Sequence, residues 1–137
     1  ENYLLEFGKA NIVKEGDLIT IVTWGALVEK SIQASKNVEI SAEIIDIRTL
    51  NPLDMDTILD SIKKTNRVLI VHEDNITNGF GGEIASKIIE DGFEHLDAPI
   101  KRVASKDFPV PYASELENEI LVQTSWIESA IKEIVEY

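Results

Sequence analysis

The chain has 137 residues, 44% of them hydrophobic and 28% charged, enough for one domain with a sizeable core and unlike a disordered or fibrous chain. Against 25 acidic residues stand 13 basic ones, a formal charge of −12; on balance this repels nucleic acid and anionic membrane surfaces and steers in a basic partner. The absence of cysteine excludes a disulfide framework, a thiolate nucleophile and a thiolate metal site, and no apolar run approaches the length that spans a bilayer.

The acids are spread along the chain, as on solvated helix faces. Nothing at the N-terminus has the layout of a signal peptide, so a cytoplasmic location is expected, or an organelle matrix after loss of a transit segment. Glu1 to Phe7 carries no clear period, and the first residue is not Met. Residues 1–8 are therefore expected to be a linker from a preceding domain and residues 9–137 the domain itself.

Lys9 to Val13 and Leu18 to Thr23 are short β-branched runs, with Lys14-Glu15-Gly16-Asp17 suited to a turn between two strands. After Trp24-Gly25, the apolar residues Ala26, Leu27, Ile32 and Ala34 suggest an amphipathic helix ending near Asn37. Ile40 to Ile47 reads as a strand, stopped by Asn51-Pro52. From Asp54 to Lys64, Met55, Ile58, Leu59 and Ile62 stand at helical spacing, with acids at the first turn and lysines at the last, where the helix dipole favours each. Arg67 to His72 contains Val68-Leu69-Ile70-Val71, the composition of a strand covered on both faces. Gly81 to Leu96 brings Ile84, Ala85, Ile88, Ile89 and Phe93 to helical spacing, weakened near its end by Gly92. Pro99 to Ala104 is a short strand, and Phe108 to Tyr112 is held extended by its prolines. Thr124 or Ser125 caps a last helix with Ile127, Ala130, Ile131 and Ile134 inward. This alternation predicts an α/β fold, a parallel sheet with helices on both faces.

Ligands of such sheets bind beyond the carboxyl ends of the strands, which singles out Thr23 to Gly25, Arg48 to Leu50, His72 to Asn78 and Ser105 to Asp107. His72-Glu73-Asp74 precedes Gly79-Phe80-Gly81-Gly82, which opens a helix. A glycine loop at a helix N-terminus can cradle phosphate. Here Ile84 occupies the sixth position of the dinucleotide fingerprint, Glu73 and Asp74 add negative charge, and no lysine of the Walker type follows. The glycines Gly79, Gly81 and Gly82, with Phe80, are read instead as a tight turn with close backbone approach at a subunit interface. His72 is the weak candidate for a catalytic residue, against the plainer reading of a strand-end histidine held by hydrogen bonds or packed in an interface. His95 is more simply a cation at a helix end. No cluster has metal-ligand spacing and no Gly-x-Ser-x-Gly elbow occurs. Trp24 and Trp126 serve either the core or an interface. A receiver-like regulatory domain would need paired acids where Thr23-Trp24 stands.

In order along the chain run Gly8-Lys9-Ala10, Thr20 to Gly25, Ile45-Asp46-Ile47-Arg48-Thr49-Leu50-Asn51-Pro52-Leu53-Asp54, His72-Glu73, Gly79 to Ile84, and Leu96-Asp97-Ala98-Pro99-Ile100-Lys101-Arg102-Val103. In this order they resemble the C-terminal domain shared by transketolases and the β subunits of 2-oxo acid dehydrogenases, more closely the latter. The resemblance implies a three-layer α/β/α sandwich on a five-stranded mixed sheet, mostly parallel with the first strand antiparallel. It also implies oxidative decarboxylation of a 2-oxo acid by the whole enzyme, with acyl transfer to lipoyl. Thiamine diphosphate and magnesium would be bound by other domains. The Gly-Asp-Gly signature for the metal is missing, since Gly16-Asp17 continues into Leu18, so this chain alone is expected to bind no cofactor and to be inactive.

Two positions are expected to dock the basic subunit-binding domain of the lipoyl acyltransferase core: Asp97 and the carboxylate of Tyr137. The remaining domains or subunits of the same enzyme are further partners. His-Glu-Asp followed by Gly-Phe-Gly-Gly looks more like the branched-chain 2-oxoisovalerate type than the pyruvate type. The alternatives are a transketolase or related synthase C-terminal domain and a free-standing acidic α/β binding or regulatory module.

Overall fold

A computed structural model describes residues 3–137; Glu1 and Asn2, in the expected linker, lie outside the described residues. In chain order the elements are β1 (Asn11–Lys14), β2 (Ile19–Thr23), α1 (Leu27–Asn37), β3 (Ala42–Asp46), α2 (Met55–Thr65), β4 (Val68–Asn75), α3 (Gly81–Gly92) with a 3-10 turn at Phe93–His95, β5 (Lys101–Ser105), α4 (Ser114–Ile120) and α5 (Thr124–Val135). The five strands form one sheet in the order β1-β3-β2-β4-β5. β1 runs antiparallel to β3, and the other pairs are parallel. The mixed sheet with an antiparallel first strand is thus as the resemblance implied. The turn between β1 and β2 reverses the chain as expected, but its two strands do not pair, because β3 lies between them.

Strand alternation divides the core into two layers. Ile19, Ile21, Ala42, Ile44, Leu69 and Val71 face one side, where they pack with Leu27 and Ala34 of α1 and Ile127, Ala130, Ile131 and Ile134 of α5. Val22, Ile45, Val68 and Ile70 face the other, against Ile58 and Ile62 of α2 and Ile84 and Ile88 of α3. Two polar side chains on this second face, Thr20 and Glu43, are paired: Thr20 Oγ1 lies 2.6 Å from Ser61 Oγ and 2.7 Å from Thr65 Oγ1. Glu43, almost fully buried, bonds Lys64. Burial, the largest single influence, would raise its carboxyl, but the hydrogen bonds with Lys64, Ser61 and Glu15 and the charge of Lys64 together outweigh it and hold the group below the usual range.

The stretch from Asp46 to Asp54 acts as a clamp. Asp54 caps α2 by accepting from Thr57 N on Oδ1 at 3.3 Å, and its Oδ2 accepts from both Thr57 Oγ1 at 2.8 Å and Ala10 N at 2.9 Å. Thr49 Oγ1 donates to Pro52 O at 2.8 Å and accepts from Gly8 N at 3.1 Å. The segment leading into β1 is therefore fastened to the loop between β3 and α2, a structural role for the motif.

Three expectations need correction. The last helix begins at Thr124 with Gln123 as its cap residue, and no side chain caps it. Phe93 does not face inward: the chain tightens into a 3-10 turn at Gly92, and Phe93 is 67% exposed. β4 runs three residues past His72, to Asn75, with its pairing to β5 interrupted between His72 and Asn75. Helix α4 had no counterpart in the reading of the sequence; none of its residues is buried, so it lacks the apolar stripe that reveals a helix.

Candidate functional site

The loops at the carboxyl edge of the sheet converge on His72. Its side chain is fully buried, and its ring stacks on Trp24 with centroids 5.5 Å apart and planes 4° from parallel. Phe80 meets Trp24 edge-on at 6.2 Å. The glycine loop covers the imidazole. A Cβ on Gly79 would meet Asn75 O and stand 2.7 Å from His72 Cε1, and one on Gly81 would overlap His72 Cδ2 and Nε2. Asn78, at φ 60°, supplies the left-handed turn into the loop. The close backbone approach expected of these glycines is therefore made inside the chain, against its own histidine.

Neither ring nitrogen of His72 has a hydrogen-bond partner among the described residues, and the same holds for the buried hydroxyls of Thr23 and Ser105. Burial pushes the imidazole below its ordinary pKa of 6.5; the Asp74 carboxylate opposes this and the Arg102 guanidinium adds to it. The Asp74 backbone lies close enough to favour the charged ring, but not in hydrogen-bond geometry. The imidazole is thus enclosed between Trp24 and the glycine loop, and its burial favours the neutral form.

Beside the glycine loop opens a cleft of about 1060 Å³, lined among others by Leu53, Met55, Phe80 and Arg102. Arg102 Nη1 donates to Ile76 O at 2.9 Å. Across the loop, Thr77 donates from N and Oγ1 to Asp107 at 3.0 and 2.6 Å, which holds that carboxyl below its usual range. Among the described residues no group of three or more His, Asp or Glu is placed to hold a metal ion, and no helix is long and apolar enough to cross a membrane. Trp24 and Trp126 are both partly buried against the core, one on each side of the sheet.

Asp97 and Tyr137 lie elsewhere but together. Both line a groove of about 300 Å³ with Ile89, Phe93, Leu96 and Pro99. Asn66 ends α2 in the left-handed conformation at φ 58° and ties down the backbone beside this groove. Its side chain donates to His95 O at 2.7 Å, and its carbonyl accepts from Asp97 N at 2.8 Å. The backbone at Asp97 is thus held while its side chain remains exposed. The resemblance singled out Asp97 and Tyr137 but not their common groove, nor Ile89 and Phe93 beside them, an apolar pair four residues apart and out of phase with the buried Ile84 and Ile88.

Two helical layers on a five-stranded mixed sheet with one antiparallel edge strand define an α/β/α domain. The family described as "Transketolase, C-terminal domain" matches residues 8–127; the chain belongs to it. It is 43% identical over 136 residues to a pyruvate dehydrogenase E1 component subunit beta of Rickettsia felis, covering 97% of this chain and 42% of that protein. It is 40% identical over 141 residues to the 2-oxoisovalerate dehydrogenase subunit beta of Bacillus subtilis, covering 100% of this chain and 43% of the relative. The chain thus spans about two-fifths of the length of these curated relatives. A solved structure titled "Split gene transketolase, inactive beta4 tetramer" shares the fold, with a TM-score of 0.84 at 24% identity over 96% of this chain and 44% of that one.

Proposed function

We propose that this chain serves as the C-terminal assembly and docking domain of a thiamine-diphosphate-dependent 2-oxo acid dehydrogenase, which decarboxylates a 2-oxo acid oxidatively and passes the acyl group to lipoyl. The observation that carries this reading is the identity of 40–43% along nearly the whole chain to β subunits named for pyruvate and 2-oxoisovalerate. His72-Glu73-Asp74 with the glycine loop favours the branched-chain substrate, and the pyruvate dehydrogenase relatives favour pyruvate.

Thiamine diphosphate and magnesium do not fit the residues present here. The Gly16-Asp17 pair sits in the turn after β1, where a Cβ on Gly16 would overlap the backbone of Ala42 and Glu43, leaving no room for a diphosphate. At the glycine loop the imidazole of His72 occupies the concavity, and exposed Glu73 and Asp74 stand beside it. Cofactor and turnover accordingly belong to other parts of the enzyme.

Two surfaces carry the domain's own work. Gly79, Phe80, Gly81 and Gly82 contact another domain or subunit of the same enzyme, a reading supported by the open cleft along that loop. Asp97 and Tyr137 dock the basic subunit-binding domain of the lipoyl acyltransferase core, supported by their shared groove and by the charge of −12. The test is to express the gene's whole reading frame with its partner subunit and to measure decarboxylation of pyruvate and 2-oxoisovalerate. Turnover of either supports the reading; transketolase activity on sugar phosphates with neither 2-oxo acid consumed would overturn it.

A further inference from the structure

His72 is the last buried residue of β4, and it is enclosed without being satisfied. The neutral imidazole offers one donor and one acceptor, the charged ring two donors, and neither nitrogen has a partner among the described residues. Charging the ring in place would create a buried cation with two unpaired donors, a costly state that water would relieve. The geometry shows where water enters. Trp24 covers one face of the ring, and the atoms crowded by Gly79 and Gly81 are Cε1, Cδ2 and Nε2, the edge furthest from the His72 backbone. From Nε2 the way out to the cleft therefore runs through the glycine loop.

That loop is not part of the strand ladder, since the pairing of β4 with β5 is interrupted between His72 and Asn75. Its ties are short-range and lie near solvent. Ile76 N donates to Ser105 O at 3.0 Å, Gly82 N to Gly79 O at 2.9 Å, Arg102 Nη1 to Ile76 O at 2.9 Å, and Thr77 to Asp107. Segments held in this way open at a lower free energy than a buried sheet. The charged groups around the ring come from three elements. Glu73 and Asp74 follow His72 on β4, Arg102 reaches it from β5, and Glu83 stands in the first turn of α3, paired with Lys87 at 3.5 Å. Asp107 is engaged by Thr77, and neither Trp24 to Ala26 nor Ile76 to Phe80 contains a charged residue.

We propose that the glycine loop is a proton-operated latch: when His72 takes up a proton, residues 76–82 swing off the ring, the imidazolium reaches water, and Phe80 parts from Trp24. The latch depends on the loop's own geometry, whatever the loop meets in an assembled enzyme. Its direction follows from the two environments of the ring. In the closed form burial holds the imidazole below its ordinary 6.5, while in the open form it is in water and titrates near that value. The closed loop is therefore favoured above about pH 6.5, and opening gains up to about tenfold for each pH unit below it until the closed ring itself titrates. Asp107 is held below the usual carboxylate range, so its tie to Thr77 does not release in this window.

The test is amide hydrogen exchange, corrected for intrinsic rates, across the range from about pH 7.5 to about pH 5. It uses this chain with His95→Asn, which leaves His72 as the one histidine, and the same chain with His72→Gln added. The amides of Ile76, Thr77 and Gly82 report the loop, because they make its ties, and those of Val22 and Ile70 report the sheet. Loop protection should lie well below that of the sheet, fall by up to about tenfold between about pH 6.5 and about pH 5.5, and stay level in His72→Gln. Loop amides that exchange at the sheet's rate at every pH would open only with the whole domain, and the latch is then overturned. No fall in the His72 chain, or an equal fall in His72→Gln, overturns it as well. Where His72→Gln does not fold, the His72 chain decides alone: a fall that begins near about pH 6.5 supports the latch, and one that begins near about pH 4, with the exposed carboxylates, contradicts it.

Discussion

The glycine loop over His72 and the groove beside Phe93 lie at opposite ends of α3, and they treat apolar surface in opposite ways. At the first, the chain fills its own concavity: the imidazole is stacked on Trp24 and covered by glycines too close to it for any side chain. At the second, Ile89 and Phe93 stay exposed beside unneutralised carboxylates, although the backbone below is fixed by Asn66. A loop with the look of a ligand cradle thus packs on its own histidine, while an apolar pair towards the far end of the helix stays in solvent.

Substitutions in the two regions should separate stability from binding. Gly81→Ala drives a methyl group into His72 and should cost about 2 to 3 kcal/mol in urea denaturation. Gly82→Ala, whose Cβ would sit at 3.4 Å from the mobile end of Arg102, should stay within about 0.5 kcal/mol. Equal losses for the two would show that His72 is not the constraint.

His72 should also give the first region its pH dependence. Because its folded pKa lies below the ordinary 6.5, the unfolded chain takes up the proton first as pH falls. The contribution of the neutral ring is full above about pH 6.5 and is lost below it, at no more than about 1.4 kcal/mol per pH unit. Denaturation at pH 7.5 and 5.5 should show a loss in wild type that shrinks in His72→Leu; the same loss in both would remove His72 as its source. Carboxylates such as Asp54, held low despite burial by the hydrogen bonds from Ala10 and Thr57, titrate below this window.

The smallest effects belong to the second region. Phe93→Ala should change stability by under about 0.5 kcal/mol, since most of the ring is in water already. A larger loss would return Phe93 to the core. Thiamine diphosphate with magnesium should leave the melting temperature of this chain unmoved, and a rise with cofactor concentration would contradict the misfit at Gly16 and at the glycine loop.

Much of this was legible beforehand where burial imposes a period. The inward set of α5, the buried run Val68 to Val71 and the acid cap of α2 all follow from spacing and charge. Strand order was beyond local signals: a turn at Lys14 to Asp17 reverses the chain but says nothing of β3 entering between its arms. Phe93 was misread because 3.6-residue spacing was carried through Gly92, where the helix ends and the next turn tightens. The glycine loop announced close approach but not to what, since its neighbour His72 is fixed only once β4 and α3 are packed together. Asp97 and Tyr137, far apart in sequence, owed their pairing to the resemblance, and their common groove is visible only in the fold.

The proposed docking of a basic partner rests on the groove that holds Asp97 and Tyr137. The most direct measurement is the association rate of the subunit-binding domain with wild-type chain and with Asp97→Asn, at low and at high salt. The groove predicts a several-fold slower association for Asp97→Asn at low salt and a smaller difference at high salt, where the charge is screened. Association that is equally fast in both, at either salt concentration, would contradict it.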